Sequence, residues 1–323
     1  RALYFGLHLK PGLDARFQHR HCPPAQLAEF LADLPGPRRH GLLNAAFQPA
    51  TRYSDTAFLD DLARTLETLR AAGALDALVY ADALLLRALG EHAPSVCRGL
   101  PAQPSVNLCL DSPAKVRAHL DFLTATPFAP PQSLLADRSL NRRPQALAEL
   151  RAWLGTALPH AELGLLANEG CLRHCPFKPA HDAVTAAAGH FGGAEACWPA
   201  LREQGCLRLL AAEPWRALAS PFIRPEDVDA ALARADFLKL CGRGRPPAFI
   251  ARVLDAYAAR DGGPDLFALM DTLAELAVLW RLDSARLPAG FAATFAACPL
   301  DCSACGRCGA LFAASASMAS PSW

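Results

Sequence analysis

The chain has 323 residues, 52% of them hydrophobic and 20% charged, enough to bury one large core of the size found in single α/β barrels. With 32 basic and 31 acidic residues the formal net charge is +1, which excludes a broad positive field able to hold a polyanion nonspecifically. No run of about 18 uncharged apolar residues occurs, and the opening Arg1-Ala2-Leu3-Tyr4-Phe5-Gly6 lacks the order of a secretion signal, so a cytoplasmic protein without a membrane span is expected.

In chain order, short runs rich in Leu, Val, Ile and Phe alternate with longer amphipathic stretches, the pattern of βα units around a parallel sheet. Residues 2–9, 41–47, 77–81, 105–110, 133–136, 162–167, 207–211 and 237–240 read as strands, eight in all, the number a closed barrel requires. Between them, Phe58, Leu59, Leu62, Leu66 and Leu69 repeat at helical spacing behind Ser54 as N-cap. Ser112-Pro113 opens another helix with proline in its first turn. Arg224-Pro225-Glu226-Asp227 opens a third, with acids at the positive end of its dipole. The expected fold is a TIM-like (β/α)8 barrel over 1–265, then a helical segment with a small cysteine-rich appendage over 266–309 and a disordered tail over 310–323. The pairs Arg38/Arg39 and Arg142/Arg143 read as solvated surface.

Twelve cysteines in a chain of this length point away from a disulfide scaffold and toward reduced thiolates. Cys298, Cys302, Cys305 and Cys308 stand at C-x3-C-x2-C-x2-C spacing, which lets one looping segment turn its sulfurs inward around a cuboidal iron-sulfur cluster. Zinc is the rival ligand, although structural zinc usually draws on two short pairs separated by a longer loop. The order differs from the bacterial ferredoxin run, since the three-residue gap and the proline come first here. Cys171 and Cys175 lie in the loop after the predicted strand 162–167, on the end of a barrel where active sites sit. Cys22, Cys97 and Cys109 stand alone and read as core or loop filler.

The stretch Asn168-Glu169-Gly170-Cys171-Leu172-Arg173-His174-Cys175-Pro176-Phe177-Lys178-Pro179-Ala180-His181 resembles the U32 peptidase-like family. So do Ser105-Val106-Asn107 with Ser112-Pro113, the segment Leu134 through Arg142, Ser220-Pro221-Phe222-Ile223-Arg224-Pro225-Glu226-Asp227-Val228, and Phe237-Leu238-Lys239-Leu240-Cys241-Gly242-Arg243. The resemblance spans most of residues 40–270. It implies a barrel holding a 4Fe-4S cluster on four cysteines, with activities that include oxygen-independent hydroxylation of ubiquinone precursors or of RNA bases, with prephenate as oxygen donor in some members, and collagenase-like proteolysis. Carried over, Cys171 and Cys175 match the central pair and Cys197 the next ligand. Many members place a ligand where this chain has Asp229, so Cys206 is taken as the fourth and Cys241 as the reserve. The run at 298–308 would then mark a branch with two iron-sulfur clusters.

Lys239, Arg243 and Arg245, at the predicted end of the last strand, are candidates for binding an anionic substrate group, with a loop salt bridge as the alternative. Arg138 is similar in position. His8, Asn44, His174 and His181 are candidates for proton handling, His181 foremost because the family motif resembles it there. No Gly-x-Ser-x-Gly elbow, His-Glu-x-x-His helix, phosphate-cradling glycine loop or dinucleotide fingerprint is present. The function expected is an oxygen-independent modification, above all hydroxylation, of a small-molecule or RNA substrate, the small molecule favoured, with the second cluster for electron transfer. The expected partner is a second U32-like subunit or an electron donor. A U32-type peptidase and a noncatalytic electron-transfer subunit are the alternatives.

Overall fold

The computed structural model describes residues 1–7, 12–15, 21–295 and 298–319, so His8 lies outside the described residues. Strands β1 (Ala2–Gly6), β2 (Arg38–Leu43), β3 (Ala77–Tyr80) and β4 (Ala102–Pro104) form a four-stranded sheet in that order. Its pairs are parallel, with Ala2 opposite Arg38, His40 opposite Ala77 and Leu78 opposite Ala102. Every residue of β3 is buried, as a parallel strand covered on both faces requires. Strands β5 (Ser133–Leu135), β6 (Glu162–Leu166) and β7 (Phe237–Lys239) form a second, three-stranded sheet, in which β6 and β7 run parallel with Gly164 opposite Phe237. A Cβ on Gly164 would lie 2.2 Å from the Phe237 ring, so only glycine admits this approach. Strands β8 (Trp280–Leu282) and β9 (Ala316–Met318) pair antiparallel.

The chain separates into two compact units. One comprises residues 1–110, 114–134 and 177–200, the other 111–113, 135–176 and 201–323. In the first, helix Thr56–Ala71 sends Leu59, Leu62, Leu66 and Leu69 into a core shared with Leu27 and Leu31 of helix Pro24–Ala32 and with Leu85, Leu86 and Leu89 of helix Ala83–His92. Its cap is Asp55 rather than the expected Ser54, the carboxylate accepting from Phe58 N at 3.2 Å. A carboxylate also complements the positive end of the helix dipole, which a hydroxyl does less well. In the second unit, helices Pro144–Ala157 and Pro247–Ala259 bury Leu147, Leu150 and Leu154, and Phe249, Val253 and Tyr257.

The α/β class and the parallel sheets agree with the sequence. The expected set of eight strands does not. Residues 207–211 belong to helix Cys206–Ala212, because a short apolar run carries no period that separates a strand from a buried helical turn. The fourth strand lies earlier, at Ala102–Pro104. Ser105 then accepts from Asn107 N at 3.2 Å and starts the 3-10 turn Val106–Leu108 where a strand was expected. Among the described residues the strands form sheets of four, three and two, and no recorded pairing closes a single barrel.

Two C-terminal expectations also change. The stretch 266–280 is not one helix but the 3-10 turns Leu266–Leu269 and Leu276–Val278 followed by β8. Between those turns the Asp271 and Thr272 amides leave the local ladder to bond the Asn168 and Glu169 carbonyls at 2.9 and 3.0 Å. Residues 310–319, expected to be disordered, complete helix Arg307–Ser315 and form β9, while 320–323 lie outside the described residues.

Candidate functional site

In the second unit, the segment after β6 is built around the fully buried Asn168. Its amide donates to the Cys241 carbonyl at 3.0 Å and the Leu269 carbonyl at 2.9 Å, and accepts from Cys241 N at 2.6 Å. Glu169 forms an ion pair with Arg138 at 2.8 Å, both side chains largely buried, and its carbonyl accepts from the Thr272 hydroxyl. Gly170 follows with φ of +78°, where an added Cβ would meet Leu273 at 2.7 Å, and exposed His174 has φ of 54°. These left-handed residues reverse the chain on either side of Cys171–Leu172–Arg173 and fold the loop back on itself. Ser220 fixes it from outside, its hydroxyl donating to the Cys171 carbonyl at 2.7 Å.

Cys206, the first residue of helix Cys206–Ala212, joins this loop. Its thiol is pushed far up by a hydrogen bond with Cys175, by burial, and by the nearby Cys175 and Cys171 sulfurs. Cys171, Cys175 and Cys206 therefore gather in the second unit. Cys197 belongs to the first unit, where it is 4% exposed and its thiol is pushed up by burial.

The C-terminal run makes a second gathering in the same unit. Leu300 with φ of 63° and Gly306 with φ of 61° bend the segment on either side of the short helix Cys302–Cys305, whose cap Asp301 accepts from Ala304 N at 3.2 Å. Cys298 N bonds the Phe295 carbonyl at 3.1 Å, and Arg307 bonds that of Thr294 at 2.6 Å, tying the run to the preceding 3-10 turn Phe291–Phe295. The Cys308 thiol is pushed up to about 11, first by burial and then by Cys302, Cys298 and Cys305, while Arg142 pulls it down.

Two arginines face this run. Arg142 was expected at the surface but is 2% exposed. Its guanidinium lies 4.5 Å from the Phe295 ring centre, 5.1 Å from Phe291 and 5.3 Å from Phe222, and donates to the Ser220 carbonyl at 3.0 Å. The aromatic walls come from segments distant in sequence, so nothing local distinguished Arg142 from solvated Arg143. Arg173, between Cys171 and Cys175, has its pKa lowered chiefly by burial and supported by Cys298 and Cys302. The loop holding one cysteine pair thus presents a cation to the other cysteine group.

At the end of β7, half-buried Lys239 is pushed down to about 8, mainly by burial, with Cys241 and Glu169 opposing that and Arg243 adding to it. Arg243 is exposed. Arg245 takes the salt-bridge alternative, with Asp271 at 3.4 Å and the Asp271 carbonyl at 3.1 Å. His181 lies in the first unit on helix Lys178–Phe191, and Asn44, also there, accepts from Ala15 N at 3.1 Å. Neither the clamp formed by Asn168 nor the pairing of Glu169 with Arg138 has a local signal, because both depend on residues at least 30 positions away. Among the described residues, no three His, Cys, Asp or Glu side chains close around one metal ion, and no helix is long and apolar enough to cross a membrane.

No protein-family model matches the chain. It is 31% identical over 180 residues, 54% of its own length, to a protein of Methanocaldococcus jannaschii named uncharacterized protease MJ1657. The chain spans about half the length of that curated relative, 51%. Among solved structures it is similar to the U32 peptidase Mk0906, at 15% identity and a TM-score of 0.43, over 59% of this chain and 70% of that one.

Proposed function

We propose that the chain is an iron-sulfur protein of the U32 peptidase-like kind that takes part in an oxygen-independent hydroxylation. Cys298, Cys302, Cys305 and Cys308 would hold one 4Fe-4S cluster. Cys171, Cys175 and Cys206 would hold the other. The observation that carries the reading is the gathering of Cys171 and Cys175 with Cys206, from separate segments, in the same unit as the four-cysteine run. The 31% identity over 180 residues to a protein named a protease, together with the motifs around Cys171 and Cys241, supports the kinship.

The donor chemistry fits. Crowded thiols raise one another's pKa because their thiolates repel, and a bound cationic iron-sulfide core removes that penalty by sharing their charge. The cysteine-ligated clusters would supply one-electron transfer when bound. Around them the chain contributes fixed positive charge from Arg142 and Arg173, which offsets the net negative charge of a four-thiolate site. Lys239, lowered to about 8, keeps both its ammonium and amine forms accessible near neutral pH and can give or take a proton at Nζ. Arg243, exposed beside it, offers a fork for a carboxylate or phosphate of the substrate. His181 is the remaining proton-handling residue of this reading. A substrate that is a small molecule, a second U32-like subunit or electron donor as partner, and a cytoplasmic setting that keeps thiols reduced complete it.

The test is anaerobic purification with iron and sulfide analysis of the parent and of variants lacking either cysteine group. Loss of about four irons with each group is expected. A preparation that binds only zinc, or none of these metals after full loading, overturns the reading. Proteolysis that persists without iron and in Cys171→Ala points instead to a peptidase.

A further inference from the structure

Arg142 connects the two cysteine groups by geometry alone. Its terminal nitrogen donates to the Ser220 carbonyl at 3.0 Å, and the hydroxyl of that same serine donates to the Cys171 carbonyl at 2.7 Å. Its guanidinium is stacked 4.5 Å from Phe295, whose carbonyl accepts from Cys298 N at 3.1 Å. One buried cation therefore touches the supports of both groups. Its Nε is buried without a hydrogen-bond partner, an unspent donor inside a wall of Phe222, Phe291 and Phe295. An unsatisfied buried guanidinium donor is costly, and an anionic sulfur group beside it would recover that cost. Asp227 and then Cys308 are the neighbours that favour its charge on this side.

We infer that Arg142 is a positioning residue that raises the reduction potential of an iron-sulfur group held at Cys298–Cys308, while its partner Ser220 separately supports the Cys171 loop. The inference rests on the iron-sulfur reading above. Reduction adds one electron and makes the bound group more negative, with no bond made or broken. A buried guanidinium stabilises that added charge more than it stabilises the oxidised form, because little solvent screens it. Hydrogen bonds and charge around the sulfurs are among the main means by which a protein sets such potentials. Ser220 gives the arrangement two separable halves: its carbonyl serves Arg142 and its hydroxyl serves Cys171.

The test loads the full chain anaerobically with iron and sulfide and titrates it with dithionite, which supplies the electron, while electron paramagnetic resonance and absorbance are recorded. The signal of the 298–308 group is identified by its loss in the double variant Cys302→Ala/Cys305→Ala. In Arg142→Met the reduction equilibrium of that group is expected to fall at least tenfold, a shift of about 59 mV to more negative potential for a one-electron couple. Arg142→Lys, which keeps the charge but loses the fork, is expected to shift it less. Ser220→Ala retains the carbonyl that Arg142 uses and is expected to move only the signal of the Cys171 group. Parent-like iron content with an unmoved potential in both Arg142 variants overturns the inference while leaving the iron-sulfur reading intact. If Arg142→Met does not fold by circular dichroism, Arg142→Lys alone decides. A parent that binds no iron through 298–308 overturns both at once, and only that result implicates the underlying reading.

Discussion

Asn168 and Cys241 hold each other at both ends of one amide group: Cys241 N donates to Asn168 Oδ1 at 2.6 Å, and Asn168 Nδ2 donates to the Cys241 carbonyl at 3.0 Å. The side chain thereby continues the pairing of β6 with β7 two residues beyond the last main-chain partners, Leu166 and Lys239. It also fixes where the cysteine loop leaves β6. Asn168→Ala strands a buried amide and two carbonyls, each left-over buried group costing about 1–3 kcal/mol. The expected loss is about 3 kcal/mol, read as a lower urea midpoint at unchanged m value. Parent-like stability would mean that water replaces the clamp.

The Arg138–Glu169 pair is the second support of the same loop, with side-chain exposures of 8% and 17%. A buried pair contributes little beyond what well-packed apolar residues would, yet removal of one partner leaves an uncompensated charge. Glu169→Ala is therefore expected to cost about 3–5 kcal/mol, and the double variant Arg138→Met/Glu169→Leu to recover most of it. Equal destabilisation by the single and double variants in urea unfolding would show that shape, not charge, governs this site.

What the sequence revealed and what it hid divide along physical lines. The parallel strands around 77–81, 133–136 and 162–167 were legible because buried runs of branched and aliphatic residues flanked by amphipathic helices carry their own signal. The run 207–211 has the same composition but too few residues to set a period, and it folds as a helix. Cys171 with Cys175 and the run 298–308 were legible from spacing, since close ligands are a local property. Arg142 was not, because its burial is made by Phe222, Phe291 and Phe295, and a neighbouring Arg143 disguised it as surface. Asn168, whose three partners lie at least 73 positions away, was equally silent.

Lys239 gives the fold a pH dependence of definite sign. Its ammonium is disfavoured in the folded chain, where burial lowers the group to about 8 from an ordinary 10.5. Between those two values the unfolded chain binds more protons than the folded one, so stability rises with pH across that window. Below it, the folded chain carries the whole cost of the buried charge. Lys239→Met is therefore expected to exceed the parent in stability most near neutral pH, with the difference shrinking as pH rises from about 8 to about 10.5. Thiol ionisation occurs in both proteins and largely drops out of the difference. Urea midpoints that differ by a constant amount across this range would reject the assignment.

The C-terminal residues supply the sharpest contrast between composition and packing. Residues 310–323 are rich in Ala and Ser and have the composition of an unstructured tail, yet Phe312 is only 7% exposed. Its ring lies 5.3 Å from Trp280 and 6.4 Å from Phe267, and the following strand β9 pairs with β8 from Trp280 opposite Met318 to Leu282 opposite Ala316. One aromatic residue thus anchors a helix that begins inside the cysteine run, at Arg307. Phe312→Ala is expected to cost about 3–5 kcal/mol, the usual range for emptying a buried aromatic site. Because Cys308 lies on the first turn of that helix, the same change is expected to weaken metal retention at 298–308 while sparing the Cys171 group. Unfolding midpoints together with iron analysis check both halves. A variant with parent stability would return these residues to the status of a tail, and a destabilised variant that loses iron equally from both cysteine groups would show general unfolding instead of a local anchor.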